Sequence, residues 1–186
     1  VAGVTGFGTA EPCHLNINCP QGANWQTEKR GISRILMVFS NGLGWCSGTT
    51  IANTSGTPEP YVLSANHCQL IGNNPDFDMW RFDFGYESAD CSNPATEPVE
   101  KSVLGCERVA FRDETDFMLL RMTALPTNFN VYFNGWNRNA NPGLTGSTFI
   151  HHPVGDLKKI SVDQHAATVF AQQINWGGVF GISPAN

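Results

Sequence analysis

Short apolar runs broken by clusters of Gly, Pro, Asn and Asp recur along the whole chain, and their lengths suit strands rather than helices. Residues 35–39, 45–51, 61–63, 79–84, 107–111 and 117–122 read as strands; after a polar break at 124–130 so do 131–136, 147–151, 158–162 and 168–174. No long helical pattern competes with them. In Met79-Trp80-Arg81-Phe82-Asp83-Phe84 the apolar and polar residues alternate, which predicts one buried and one solvent-facing side. The uninterrupted run Ile35-Leu36-Met37-Val38-Phe39 predicts burial on both sides. The Gly-, Pro- and Asn-rich stretches 53–60, 72–78, 88–98 and 138–146 read as surface loops. The pattern as a whole predicts an all-β sandwich or barrel. Six candidate strands precede the polar break and four follow it. If the two halves were similar barrels, the second would lack about two strands.

Composition narrows the function classes. The chain has 186 residues, 41% hydrophobic and 15% charged, enough to bury a sizeable core. Its net charge of −5, with no basic patch, argues against binding nucleic acid or an anionic membrane surface. No apolar stretch approaches the roughly 18 residues of a spanning helix, and the first residues lack the basic and apolar regions of a signal peptide, as in a mature, processed chain. Six cysteines without C-x-x-C pairs favour disulfides over zinc, hence an oxidising compartment reached by secretion or periplasmic export.

One segment concentrates the candidate chemistry. Ser64-Ala65-Asn66-His67-Cys68 closes the apolar run Tyr61-Val62-Leu63 and sets a histidine beside a cysteine. Histidine exchanges a proton near neutrality, so His67 is a candidate general base; a turn histidine packed on a disulfide is the plain alternative. A Cys46–Cys68 bridge would pin the loop that carries it. A catalytic imidazole also needs a buried carboxylate to fix its tautomer, and Asp116 opens the apolar run Asp116-Phe117-Met118-Leu119-Leu120. His151 and His152 are adjacent on a predicted strand, so they point to opposite faces and suit structural roles better than one shared metal ion.

Trp45-Cys46-Ser47-Gly48-Thr49, Ser64-Ala65-Asn66-His67-Cys68 and Asp116-Phe117-Met118-Leu119-Leu120 resemble the His and Asp signatures of chymotrypsin-fold serine endopeptidases. Cys13-His14-Leu15-Asn16-Ile17-Asn18-Cys19-Pro20, Gly135-Trp136-Asn137-Arg138, Ile150-His151-His152-Pro153, Lys158-Lys159-Ile160-Ser161 and Trp176-Gly177-Gly178 resemble, in the same order, the bacterial lysyl endopeptidase group.

The resemblance implies a two-barrel, trypsin-like fold: an N-terminal arm and first barrel over residues 1–125, then a linker and the first strands of an incomplete second barrel over 126–186. It implies a secreted serine endopeptidase acting through an acyl-enzyme, with lysine preference, on a protein or peptide substrate and without cofactor or metal. His67 would be the base and Asp116 its orienting carboxylate. The nucleophile is expected outside this chain, because the family's Gly-Ser-Ser-Gly-Ser-like turn is absent and Ser47, Ser147 and Ser183 lack a nucleophile motif. A second polypeptide, most simply the other half of a nicked chain, is therefore the expected partner, completing the barrel and supplying the serine. The family likeness also pairs Cys19 with Cys91. It gives Cys13 a partner in the second chain, with Cys13–Cys106 as the alternative, and places Trp176 on one wall of the substrate cleft. A non-catalytic binding or scaffold module that lacks the nucleophile is the other reading of the same residues.

Overall fold

The structure is a computed structural model and describes residues 6–139 and 142–168. Among the described residues ten strands form two antiparallel sheets: β1 (Leu15–Asn16), β2 (Ile32–Phe39), β3 (Gly42–Thr50), β4 (Tyr61–Ala65), β5 (Arg81–Phe84), β6 (Lys101–Leu104), β7 (Cys106–Arg112), β8 (Phe117–Met122), β9 (Ser147–His151) and β10 (Lys159–Asp163). Seven of them run in the order β6-β5-β2-β3-β4-β8-β7 as one curled half-barrel sheet, and the other three in the order β1-β10-β9. Single 3₁₀ turns punctuate the connections, including Asn66–Leu70 directly after β4.

The large sheet curls around an apolar core. From β2, Ile35, Met37 and Phe39 point inward; Trp80, Phe82, Phe84, Val62, Met118 and Leu120 meet them, each nearly or fully removed from water. Leu36 and Val38, on the other face, are only partly buried, Val38 packing against the core in part, so the uninterrupted apolar run of β2 is not buried on both sides as its pattern predicts. The two edge strands, β6 and β7, are consecutive in the chain and joined through Gly105 alone. That residue sits at φ +84, and a Cβ there would fall 2.9 Å from the Thr123 Cγ2. Glycine therefore makes this corner possible.

Most of the strands read from the pattern form, with shifted ends, and three differences are informative. Residues 131–136 form no strand; Asn134 makes only an isolated parallel bridge to Ile51, its N–H donating to Thr50 O (2.8 Å) and its carbonyl accepting from Ala52 N (2.9 Å). Strand β6 has a single buried apolar residue, Val103, and β1 only two residues, so neither carries a periodicity that can be read. In β5 the polar side is not exposed: Asp83 is fully buried, because β5 pairs with β2 in the register Arg34↔Asp83 and the two side chains meet as an ion pair (2.8 Å). The expected strand at 168–174 lies, beyond its first residue, outside the described residues.

Polar contacts fasten the small sheet to the large one. Arg34 donates to Gly155 O (3.0 Å), Ser47 Oγ accepts from His152 N (2.8 Å), and Lys158 N donates to Tyr86 O (3.0 Å). The Lys158 ammonium, fully buried, bonds to Glu87 (3.0 Å) and Lys29 O (2.8 Å). Burial alone would raise the Glu87 carboxyl, but Lys158 and Lys29 outweigh it and hold it below its ordinary range.

Disulfides join Cys46 to Cys68 and Cys19 to Cys91. The alternative Cys13–Cys106 pairing does not form: Cys13 is exposed on the arm, whereas Cys106 is buried at the start of β7, where loss of water contact pushes its thiol up to about 12.

Candidate active site

The pairing of β4 with β8 puts His67 and Asp116 side by side. These strands run antiparallel with Ala65 opposite Phe117, so the residues one step further, Asn66 after β4 and Asp116 before β8, are brought together. Asn66 N donates to Asp116 O (2.9 Å), carrying the ladder one rung past the sheet. Here the chain turns at both ends. On one side the 3₁₀ turn Asn66–Leu70 swings His67 back over the sheet end; on the other Asp116 takes φ +52, a left-handed conformation that Asp adopts more readily than most side chains.

The Asp116 carboxylate then receives two bonds from one residue. Its Oδ1 accepts from the His67 main-chain N–H (2.7 Å), and its Oδ2 accepts from the His67 Nδ1–H (2.6 Å). The first bond fixes the plane of the carboxylate and the second fixes the tautomer of the ring. An Nδ1–H imidazole carries its basic lone pair on Nε2, which is the form a general base requires. The acceptor is not buried as the sequence reading expected: the His67 and Asp116 side chains are 38% and 49% exposed, because both lie at the open end of the sheet.

Around this pair runs a chain of side-chain amides that the sequence reading did not single out. Asn66, itself buried, donates from Nδ2 to Asp113 Oδ1 (2.6 Å) and accepts at Oδ1 from Gln69 Nε2; Gln69 accepts from Arg108 Nη1. Arg108 in turn lies over the Phe111 ring at 4.1 Å. Asn66 and Gln69 flank the histidine in one turn, and because both are buried their amides must find partners; that burial is set by the fold and carries no local sequence signal.

The Cys46–Cys68 bridge ties this turn to β3, as expected. The two sulfurs and a His67 ring nitrogen lie within 4.8 Å of one another, but a disulfide offers no thiolate, so the cluster is not a metal site. Ser47 makes two structural hydrogen bonds: its carbonyl accepts from Ser64 Oγ (2.9 Å), and its hydroxyl accepts from His152 N (2.8 Å). The adjacent histidines make different contacts, and only His151 lies on β9. His152 is buried and donates from Nδ1 to Asp156 O (2.9 Å), while His151 meets His14 edge-on with centroids 5.3 Å apart. Burial, reinforced by Lys158 nearby, holds the His152 imidazole well below the ordinary histidine range. Trp176 and Ser183 lie outside the described residues.

A cleft of about 490 Å³ opens between β3 and β9, lined by Trp25, Glu28, Gly48, Asn134, Phe149 and His151 among others. Among the lining residues, Glu28 Oε2, Asn134 Oδ1 and His151 Nδ1 are buried and make no hydrogen bond among the described residues.

A family model for the C-terminal domain of lysyl endopeptidase matches residues 7–180. The chain belongs to this lysyl endopeptidase domain family. A lysyl endopeptidase of Pseudomonas aeruginosa is 28% identical over 167 residues, covering 84% of this chain but only 35% of that protein. The chain thus spans about a third of the length of that relative. Among solved structures, the fold of this lysyl endopeptidase-like domain is similar to the thermostable serine protease AL20 from an extremophilic microorganism, with a TM-score of 0.54 at 14% identity over 77% of this chain and 68% of that one. It is also similar to the protease Anisep of Arthrobacter nicotinovorans, with a TM-score of 0.52 at 17% identity over 84% of this chain and 68% of that one. The lysyl endopeptidase-like domain is therefore mostly β and shares the fold of serine proteases. Its two disulfides and its family point to an extracytoplasmic protein.

Proposed function

We propose that this chain carries the His–Asp half of the active site of a secreted or periplasmic serine endopeptidase with a preference for lysine at the cleavage position. The observation that carries the reading is the pair of hydrogen bonds that Asp116 accepts from His67, from the main-chain N–H (2.7 Å) and from Nδ1–H (2.6 Å). In the proposed reaction a seryl hydroxyl attacks the peptide carbonyl carbon while His67 Nε2 takes its proton. The tetrahedral intermediate collapses with cleavage of the C–N bond as His67 returns that proton to the leaving amine. Water then attacks the acyl-enzyme by the same proton route, releasing the acid and restoring the serine. Asp116 stabilises the imidazolium in each half-reaction and keeps its own charge.

The serine in this reading comes from polypeptide outside these residues, which also completes a second barrel. One observation supports further polypeptide over the small sheet: Phe149 on the outer strand β9 is 69% exposed.

A serine-reactive phosphonate probe tests the reading on protein isolated from its source. Labelling of a serine in polypeptide other than these 186 residues, abolished in a His67→Ala variant, supports it. Absence of labelling in intact, folded material would overturn it in favour of a non-catalytic binding module.

A further inference from the structure

We propose that Asn66 is the positioning residue of the His67–Asp116 pair, acting with Asp113 as a clamp that holds the two turns in register; this rests on the assignment of His67 and Asp116 as base and orienting carboxylate. The pair sits where the sheet has ended. Past Ala65↔Phe117 no strand pairing holds the two turns together, and both side chains of the pair are about half in water. Two hydrogen bonds between exposed groups exchange readily with solvent and do not define a geometry on their own. Something buried has to do so.

Asn66 is the residue placed for it. It is 2% exposed and uses its main chain and both ends of its side chain. Its N–H donates to Asp116 O (2.9 Å), so it grips the main chain of the orienting residue. Its Nδ2 donates to Asp113 Oδ1 (2.6 Å), and Asp113 O accepts from Asp116 N (3.2 Å), closing the Asp113–Asp116 turn against the His67 turn. Its Oδ1 accepts from Gln69 Nε2, which ties the far end of the same 3₁₀ turn, and Gln69 is anchored on β7 through Arg108. Asn66 therefore touches the turn of the base and the turn of the acid from inside the protein, and touches neither reacting atom. Alanine in its place would free the Asp113 carboxylate and leave the buried Gln69 amide without its acceptor. The Asp116 carboxylate, at φ +52 and no longer braced, would lose the plane that lets one oxygen meet His67 N while the other meets Nδ1.

The test uses the chain itself. The solvent exchange of His67 N–H and the proton resonance of His67 Nδ1–H report the pair, and the amides of Val62 and Leu120, at the sheet core, report global stability. In Asn66→Ala the His67 N–H is expected to exchange at least about tenfold faster and the Nδ1–H resonance to broaden away, with the core amides unmoved. Asp113→Ala, a change at an exposed position, reproduces the effect if Asn66→Ala does not fold, and Asp113→Asn, which keeps an acceptor oxygen, restores the parent behaviour. In the assembled endopeptidase Asn66→Ala and Asp113→Ala lower kcat and leave KM unchanged, and Asp113→Asn keeps the parent kcat. Equal exchange at His67 in the parent, Asn66→Ala and Asp113→Ala overturns the proposal, as does acceleration that merely parallels the core amides. Asp116→Ala separates the two ideas: if it removes the protected Nδ1–H while Asn66→Ala and Asp113→Ala do not, only the clamp fails; if it removes nothing, the base–acid pair fails with it.

Discussion

Replacing Asp83 by asparagine should be among the most damaging single changes in the large sheet. Its carboxylate is completely buried and accepts from Arg34 Nε (2.9 Å) and Nη2 (2.8 Å), from Arg81 Nε (2.7 Å) and Nη2 (3.0 Å), and from Ser102 Oγ (2.7 Å). The amide introduced by Asp83→Asn would offer one oxygen where two serve now, and would turn an NH₂ toward guanidinium donors. Arg81 is one-third exposed and can turn to water or to Glu100 (3.4 Å). Arg34, 3% exposed, cannot, and breaking a buried pair on one side costs about 3–5 kcal/mol. Some of its surroundings remain: Tyr86 and Trp45 stack over the guanidinium at 3.5 and 4.5 Å, and Gly155 O still accepts a bond. The expected loss is therefore near the lower end, about 3 kcal/mol. With a urea dependence of about 2 kcal/mol per molar, the unfolding midpoint should fall by about 1.5 M. The double variant Arg34→Met with Asp83→Leu, which leaves neither member of the pair behind, should lose clearly less than Asp83→Asn alone. Urea titration followed by tryptophan fluorescence measures the parent and both variants. A single variant within about 1 kcal/mol of the parent, or a double variant worse than the single, would refute the reasoning.

Three further outcomes follow from the site and its supports. An asparagine at position 116 tolerates the left-handed backbone, but its NH₂ would face His67 Nδ1 and drive the ring proton to Nε2; ¹⁵N chemical shifts should show the tautomer reversed in Asp116→Asn, with kcat of the proposed endopeptidase lowered about 10⁴-fold, and an unchanged tautomer would count against the pair. The His152 imidazole is depressed by burial, and by the charges of Lys158 and Arg34, relative to an unfolded value of about 6.5, so its contribution is complete above that pH and drains away below it, at up to about 1.4 kcal/mol per unit; urea midpoints should decline from about pH 7 to 5.5 less steeply in His152→Gln than in the parent, and parallel declines would contradict this. Loop-closure entropy gives about 3.4 kcal/mol for Cys46–Cys68, across 22 residues, and about 4.4 for Cys19–Cys91, across 72, so the Cys→Ala pair at 19 and 91 should lower the thermal midpoint more, and the opposite order would rule out an entropic origin.

How far the sequence could be read depended on where each element finds its partners. β8 is legible to the residue because it is an apolar run between the charged turn 112–116 and the uncharged break at 124–130, whereas β2 is legible only over 35–39, since its first residues, Ser33 and Arg34 among them, break the apolar run. The His67–Asp116 pair was legible because each residue stands at the end of an apolar strand. β6 was not, because only Val103 packs inward and its pairing is dictated by β5. Residues 131–136 look like a strand but meet only the end of β3, so a single bridge is all the structure offers them. The burial of Asp83 needed the β2–β5 register, and the Asn66 clamp needed the β4–β8 register; both depend on which residue lies opposite, which no local pattern carries.

The corner at Gly105 bears on how the molecule is assembled in time. β6 and β7 occupy opposite margins of the large sheet yet follow one another in the chain, and each margin has its docking template, β5 or β8, on a different strand pair. Until the sheet has curled enough to bring those templates within the reach of one short segment, residues 101–112 can attach at only one side. Closing that segment is then expected to be a late step, with the loop entropy between residues 84 and 117 already overcome. A bulky residue at position 105 would consequently slow folding less than it speeds unfolding, making this corner a determinant of how long the native state lasts.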